Sequence, residues 1–287
     1  MAKYVILYNS LSGNGKGLKA AEELKAKLQG SEVRFDDITK INDYGAYFDK
    51  TPADEQIVIC GGDGTINHFI NAYDTDRLER EIRYYPAGTG NDFLNDVKDE
   101  AGPLPFVLNP YLKDLPVVTV KGKDYKVLNG VGFGIDGYCC EEGDRIRQEK
   151  PGTDVNYTSI AIKGLLFKFK PVNATVTVDG LKRSYKKVWL APTMKGRFYG
   201  GGMNATPNQK RLDPEHKLST LLFHGSGKLK TLMIFPGIFK GEHVKHTDAV
   251  EVLTGHDIKV EFDKPCALQI DGETFLGVTS YHMVSKK

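Results

Sequence analysis

The rhythm of apolar and polar residues changes near the middle of the chain. In the first part, short apolar runs end in polar, glycine-rich loops that lead into segments of helical periodicity. Tyr4 to Tyr8 is such a run. The loop Asn9 to Gly17 follows, and then Leu18, Ala21, Leu24 and Leu28 recur as one face of a helix. Gln56 to Cys60 ends in Gly61-Gly62-Asp63-Gly64-Thr65, and Ile66, Phe69 and Ile70 continue as a helix. Ile82 to Tyr85 ends in Pro86-Ala87-Gly88-Thr89-Gly90-Asn91-Asp92, with another helix expected beyond it. Strand, loop and helix, repeated, predict a parallel sheet covered on both faces.

After about Leu115 the runs become short and rich in β-formers: Val117 to Val120, Lys126 to Leu128, Thr175 to Val178, Val188 to Ala191, Leu218 to Phe223, Ile258 to Phe262 and Ala267 to Ile270. Asp-Gly pairs at Asp136-Gly137, Asp179-Gly180 and Asp271-Gly272 read as turns. This half is expected to be mainly antiparallel, with helical insertions near Tyr157 to Phe169 and Leu229 to Phe239. The length of 287 residues suits two domains.

Composition narrows the function. A net charge of +2 is far from the basic excess of a nucleic-acid binder, so no nucleic-acid partner is expected. No apolar run approaches the roughly 18–20 residues that span a bilayer. Cys60, Cys139, Cys140 and Cys266 show no CxxC pattern, which fits a reduced, cytoplasmic protein.

Three polar loops after three strands of one parallel sheet converge on one side of it, where such sheets bind ligands. Asn9 to Gly17 offers backbone amides to an anion, though without the GxxxxGK(S/T) spacing of a P-loop. In Gly61-Gly62-Asp63-Gly64-Thr65 the glycines leave room for phosphates, Thr65 supplies a hydroxyl, and Asp63 can organise Mg²⁺ or its waters. Asp63 can equally cap a helix. In the third loop Asn91 can bond a nucleotide and Asp92 adds a second carboxylate; both residues also suit a helix cap.

A strand followed by GGDGT, with GTGND some two dozen residues later, resembles the diacylglycerol kinase catalytic family. The likeness continues through Asn129 to Asp136, Arg211-Leu212-Asp213, Gly241 to His246 and Ile270-Asp271-Gly272-Glu273, covering nearly the whole chain. The resemblance implies α/β plus β architecture: an N-terminal three-layer α/β nucleotide-binding domain, 1–118, and a C-terminal β-sandwich, 119–276, with the last strand, 277–287, returning to the first domain. It implies a lipid kinase using ATP and Mg²⁺, acting on diacylglycerol or a related lipid at a membrane surface, peripheral to its inner face. A homodimer stays open.

Residue by residue, the resemblance makes Gly61, Gly62, Gly64 and Thr65 triphosphate contacts, joined by Asn9, Ser12, Gly13 and Lys16 from the first loop and by Gly88, Thr89 and Asn91 from the third. It gives Asp63 and Asp92 to water-linked Mg²⁺ networks, Asp271 to the general base with Glu273 two residues on, and Asp213 to a structural metal. This chain departs from the family pattern at Ser10, where proline is common, and at Asn95, where arginine is common. It also lacks a carboxylate in Pro116 to Val120. Two alternatives stand beside this reading: a kinase of a soluble acceptor, as in NAD kinases, and a nucleotide-binding sensor. Leu165, Leu166, Phe167 and Phe169 among Lys163, Lys168 and Lys170 suit a membrane surface or, equally, a buried helix with a basic edge. His243 and His246 read as part of a polar turn rather than a metal site.

Overall fold

A strand that is apolar at consecutive positions needs cover on both faces of its sheet. The computed structural model describes every residue except Gly13, Asn14, Lys16, Thr89, Gly90, Pro151, Gly152 and Asp154. In it, Met1–Asp114 forms one unit and Leu115–Lys287 a second.

The first unit has strands β1 (Lys3–Tyr8), β2 (Glu32–Asp37), β3 (Glu55–Gly61), β4 (Ile82–Pro86) and β5 (Phe106–Val107). Its helices are α1 (Gly17–Lys27), α2 (Tyr44–Lys50), α3 (Asp63–Ala72) and α4 (Asp92–Val97). The sheet order is β2-β1-β3-β4-β5, parallel except for β5. Val5, Ile6 and Leu7, and Ile57 through Cys60, are all fully buried. Ala21 and Leu24 of α1 pack on Ile6, Val58 and Cys60. An aromatic cluster joins α2 to α3, with Tyr44 edge-on to Phe69 at 5.0 Å. Strand β2 gives no apolar signal because it is a charged edge strand, whose Arg34 pairs with Glu55.

The second unit contains β6 (Val117–Val120), β7 (Lys123–Lys126), β8 (Gly130–Gly134), α5 (Ile135–Glu149), α6 (Tyr157–Lys163), β9 (Val172–Val178), β10 (Leu181–Val188), β11 (Leu190–Met194), β12 (Phe198–Tyr199), β13 (Met203–Asn204), β14 (Leu218–Phe223), α7 (Lys228–Ile234), β15 (Val250–Gly255), β16 (Asp257–Ile270) and β17 (Glu273–Val284). Its main sheet is antiparallel and sandwich-like. The long β16 pairs with β9 along its first half and with β8 along its second, with irregular register between Glu261 and Cys266. One core fills the space among the strands, and another lies beneath α5, α6 and α7.

Two expectations need correction. The last strand does not return to the first unit: β17 pairs with β16 and β6, and because Val117–Val120 hydrogen-bonds to it the second unit begins at Leu115. Asp136-Gly137 is not a turn but the first stretch of α5, and Gly137 stands there because a Cβ would lie 2.1 Å from the Ala267 carbonyl oxygen. The other two Asp-Gly pairs are hairpin turns with positive φ at both residues: 47° and 84° at Asp179-Gly180, 47° and 92° at Asp271-Gly272.

Candidate active site

The order β2-β1-β3-β4-β5 reverses direction between β1 and β3, the point where open α/β sheets bind ligands beyond the carboxyl ends of their strands. The loops following β1, β3 and β4 all leave from that end. Asn9 Nδ2 donates to Thr65 Oγ1 at 2.9 Å, tying the first loop to the second, while the Leu11 amide donates to Asn9 Oδ1. Ser12 Oγ reaches the Ala87 carbonyl at 3.5 Å, tying the first loop to the third. The Ala87 amide donates to the Gly61 carbonyl, which also accepts from the buried Tyr84 hydroxyl at 3.0 Å.

The glycines here answer to different needs. A Cβ on Gly61 would lie 2.4 Å from Thr65 Oγ1, so this glycine lets Thr65 fold back over the end of its own strand, and one on Gly88 would lie 2.8 Å from the Gly62 Cα, so this glycine lets the third loop touch the second. Gly62 precedes the first turn of α3. Gly64 is exposed in that first turn and has nothing within 4 Å of the place a Cβ would take. The protein packing does not require a glycine there, and open space beside a helix N-terminus is where an anion approaches. Of the expected site residues, Gly13, Lys16 and Thr89 lie outside the described residues.

Asp63 links the second loop to the third. Its Oδ2 accepts from the Asp92 amide at 2.8 Å, and its carboxylate also accepts from the Phe93 amide, so it caps α4 from a neighbouring loop. Asp92 is buried beside it. Asn91 donates to the Gly88 carbonyl at 3.0 Å, and its own side-chain oxygen is buried with no donor among the described residues. Among the described residues no group of three or more His, Cys, Asp or Glu is arranged to hold a metal. Asp63 and Asp92 are two carboxylates without a third among the described residues, so a Mg²⁺ served by them would have to keep most of its waters and take its other ligands from phosphate.

In the second unit Asp271 occupies the β16–β17 turn. Its Oδ1 accepts from the amides of Asn129 at 2.7 Å and Gly130 at 3.0 Å, and its Oδ2 from the Leu128 amide at 2.6 Å. The turn keeps some exposed surface, but the carboxyl group is enclosed. Burial pushes it above the ordinary aspartate range, against the three amides and the nearby Arg211 guanidinium, which all favour the charged form. Buried Arg211 donates to the Leu128 carbonyl and to Asn129 Oδ1, both at 2.6 Å, fixing the strand that supplies those amides. Gln269 Oε1 accepts from the Gly272 amide at 2.8 Å and steadies the other side of the turn. Glu273 is exposed at the start of β17.

The donor set at Asp213 does not fit a structural metal. Its carboxylate accepts from the amides of Glu215 and Lys217, while Glu215 pairs with the Lys217 ammonium. His243 is fully buried and donates through Nε2 to the Ala205 carbonyl at 3.0 Å. Burial pushes its pKa down, so it is a neutral packing residue. A groove of 840 Å³ bordered by Thr206, Lys210, Asp213 and Glu251 shares no lining residue with the shell of Asp271. Tyr84, Asn129 and Gln269 carry no sequence signal as site residues, since each acts through a backbone group or another side chain.

Residues 3–107 match the model of the diacylglycerol kinase catalytic domain, and residues 129–284 match that of the YegS C-terminal NAD kinase beta sandwich-like domain. A diacylglycerol kinase of Mycobacterium tuberculosis is 25% identical over 274 residues, which cover 91% of this chain and 85% of that protein. A diacylglycerol kinase structure from Bacillus anthracis superposes with a TM-score of 0.64 at 19% identity, covering 100% of this chain and 94% of that one. The two domain matches reach both units, the second spanning more than half of the chain, and the chain belongs to the diacylglycerol kinase-like family of lipid kinases, which are phosphotransferases.

Proposed function

We propose that this kinase transfers the γ-phosphoryl group of ATP to a hydroxyl of diacylglycerol or a related lipid at a membrane surface, with Asp271 as general base. The observation that carries the reading is the interlocked set of loops in the first unit. Asn9, Asp63 and Thr65 hold three strand ends together around glycine backbone with open space at Gly64. Phosphoryl transfer asks mostly for positioning and charge neutralisation, and a fixed lining of amides supplies both.

In this reading Gly61, Gly62, Gly64 and Thr65 hold the triphosphate with Asn9, Ser12, Gly88 and Asn91, and Gly13, Lys16 and Thr89 belong to the same loops. Asp63 and Asp92 orient the waters of Mg²⁺, which when bound neutralises phosphate charge. Oδ2 of Asp271 accepts one amide and keeps acceptor capacity for the proton of the acceptor hydroxyl. As that proton leaves, the hydroxyl oxygen bonds to the γ-phosphorus and the bond from that phosphorus to the bridging oxygen breaks, releasing ADP. Enclosure of the carboxyl raises its proton affinity, which suits a base.

A surface on the second unit supports an acceptor in a membrane. Leu165 and Phe169 are buried, while Phe167 is 76% exposed, Leu229 78% and Met233 76%. Lys228 Nζ donates to the Leu166 carbonyl at 3.1 Å, joining the two segments that bear them. Lys163, Lys168 and Lys230 lie in the same segments, giving apolar tips among cations, as interfacial surfaces require. No helix among the described residues is long and apolar enough to cross a bilayer.

The test is transfer of labelled phosphate from Mg-ATP to diacylglycerol in mixed micelles, with NAD as a soluble alternative. Labelled lipid that nearly vanishes with Asp271→Asn is the expected result. Label in NAD alone makes the protein a kinase of soluble acceptors, and ATP binding without transfer to either makes it a sensor.

A further inference from the structure

The Asp271 turn is held from one side by a strand and from the other by Gln269. A primary amide has one accepting end and one donating end, and Gln269 commits its accepting end to Gly272. Its donating nitrogen is buried with no full hydrogen bond among the described residues, as are both carboxylate oxygens of Asp136 and the Tyr199 hydroxyl. The Asp136 and Gln269 side chains meet over Gly132. A Cβ there would lie 1.9 Å from Asp136 Oδ2 and 3.3 Å from Gln269 Nε2. Burial disfavours the charged form of Asp136, while the backbone amides of Gly137 and Asp136 and then, more weakly, the Gln269 amide and the Tyr199 hydroxyl favour it.

We propose that Asp136 is a positioning residue for phosphoryl transfer: its buried carboxylate sets which way the Gln269 amide points, and the other end of that amide holds the turn carrying Asp271. This rests on the reading of Asp271 as the base. An ionised carboxylate only accepts hydrogen bonds, so it draws the NH₂ end of Gln269 and leaves the carbonyl end for Gly272. The reversed amide would set carbonyl against carboxylate and NH₂ against the Gly272 N–H. The first turn of α5 cannot drift from this task, because Gly137 abuts the Ala267 backbone and Asp144 accepts from Thr274 Oγ1 at 2.6 Å, so α5 brackets the turn from both strands.

Protonation removes the discrimination, because a neutral carboxyl can also donate. Burial raises the Asp136 carboxyl to about 6. The titratable groups around it are Tyr199 from β12, Tyr281 from β17, and Cys139 and Cys140 on α5 itself, all pushed upward by burial and uncharged near neutrality. Asp136 is therefore the member of this cluster that changes charge between pH 5 and 7.

The experiment measures kcat and KM for ATP and lipid from pH 5 to 8 for the wild type and for Asp136→Asn, Asp136→Leu, Gln269→Leu and Asp271→Asn, with thermal melts to confirm folding. Asp136→Asn keeps a carbonyl acceptor for Gln269, and should hold kcat within about threefold at pH 7.5 while losing the part of the acid fall that Asp136 contributes near pH 6, which leaves only the limb from protonation of Asp271 itself. Asp136→Leu and Gln269→Leu should each lower kcat by on the order of tenfold or more with KM for ATP unchanged. Wild-type kcat in both leucine variants, or an acid limb in Asp136→Asn that superposes on the wild type's, overturns the proposal. Should Asp136→Leu fail to fold, the Asp136→Asn profile and Gln269→Leu decide it. Full activity in Asp271→Asn would sink the base assignment instead, and so separates the two failures.

Discussion

Two glycines three residues apart, Gly61 and Gly64, should respond to alanine in opposite ways. Gly61 ends β3, and the added methyl would stand 2.4 Å from Thr65 Oγ1, 2.6 Å from its Cβ and 2.7 Å from its Cγ2. Thr65 is buried and β-branched, so it has no easy rotamer to escape into. Moving it overpacks the loop, at about 1–3 kcal/mol, and breaks the bond from Asn9, worth about 1 kcal/mol. Gly61→Ala should thus cost about 2–4 kcal/mol, lowering the melting temperature of the first unit by about 10 °C or more. Gly64 has nothing within 4 Å of its would-be Cβ, so Gly64→Ala leaves stability unchanged or raises it by up to about 1 kcal/mol through helix propensity. Its methyl nonetheless stands where the proposed phosphates approach, and ATP affinity should fall by on the order of tenfold or more. Urea unfolding and titration calorimetry with ATP read the two effects separately. A Gly64→Ala variant that binds ATP like the wild type would remove Gly64 from the phosphate site. A Gly61→Ala variant of wild-type stability would refute the packing argument.

Asp271→Asn places an NH₂ group against at least one of the three backbone amides, so stability should drop by about 1–3 kcal/mol while kcat falls by about 10²–10⁴ and ATP affinity holds; unfolding and kinetics on one preparation check both. Asp136 binds its proton more tightly in the native state, with a pKa of about 6, than in the unfolded chain. Its contribution to stability is therefore full below pH 4 and falls by about 3 kcal/mol as pH rises from 4 through 6. In denaturant titrations across that range, the gap between wild type and Asp136→Asn should widen in favour of the variant; a constant gap would contradict the assignment. Gly137→Ala would push α5 off the Ala267 backbone, which cannot swing aside as a side chain can, and the second unit should lose about 1–3 kcal/mol or more in chemical unfolding.

The parts of the fold that were legible in the sequence are those where apolar residues are consecutive. β1, β3 and β4 fall where Tyr4 to Tyr8, Gln56 to Cys60 and Ile82 to Tyr85 placed them, because strands buried on both faces have no polar alternation to confuse the reading. β14 coincides with Leu218 to Phe223 for the same reason. Charged β2 was invisible because edge position, not apolarity, defines it. α5 was hidden by Asp136-Gly137, a pair that forms a tight type I′ hairpin turn only when both residues take positive φ, which here they do not. In the site, the glycine loops could be read from their spacing, whereas Asp63 as the cap of α4 could not, since its partners lie some thirty residues away. The three amides that grip Asp271 belong to a segment more than 140 residues earlier, and backbone donors leave no trace in residue identity.

The mutual ties among the loops of the first unit also bear on how such a protein can change over generations. Asn9 is fixed by Thr65, Thr65 has its room because residue 61 is glycine, and the amide of Asp92 is held by Asp63. Groups that share partners do not vary independently, and their substitutions combine non-additively. Single replacements inside this lattice are thus penalised even when a compensated pair would be tolerated, which narrows the mutational routes open to the first unit. The side chains of Phe167, Leu229 and Met233, by contrast, are largely exposed. Drift, and laboratory selection for new surfaces, should accumulate there first, leaving the interlocked loops of the first unit as the fixed part that descendants share.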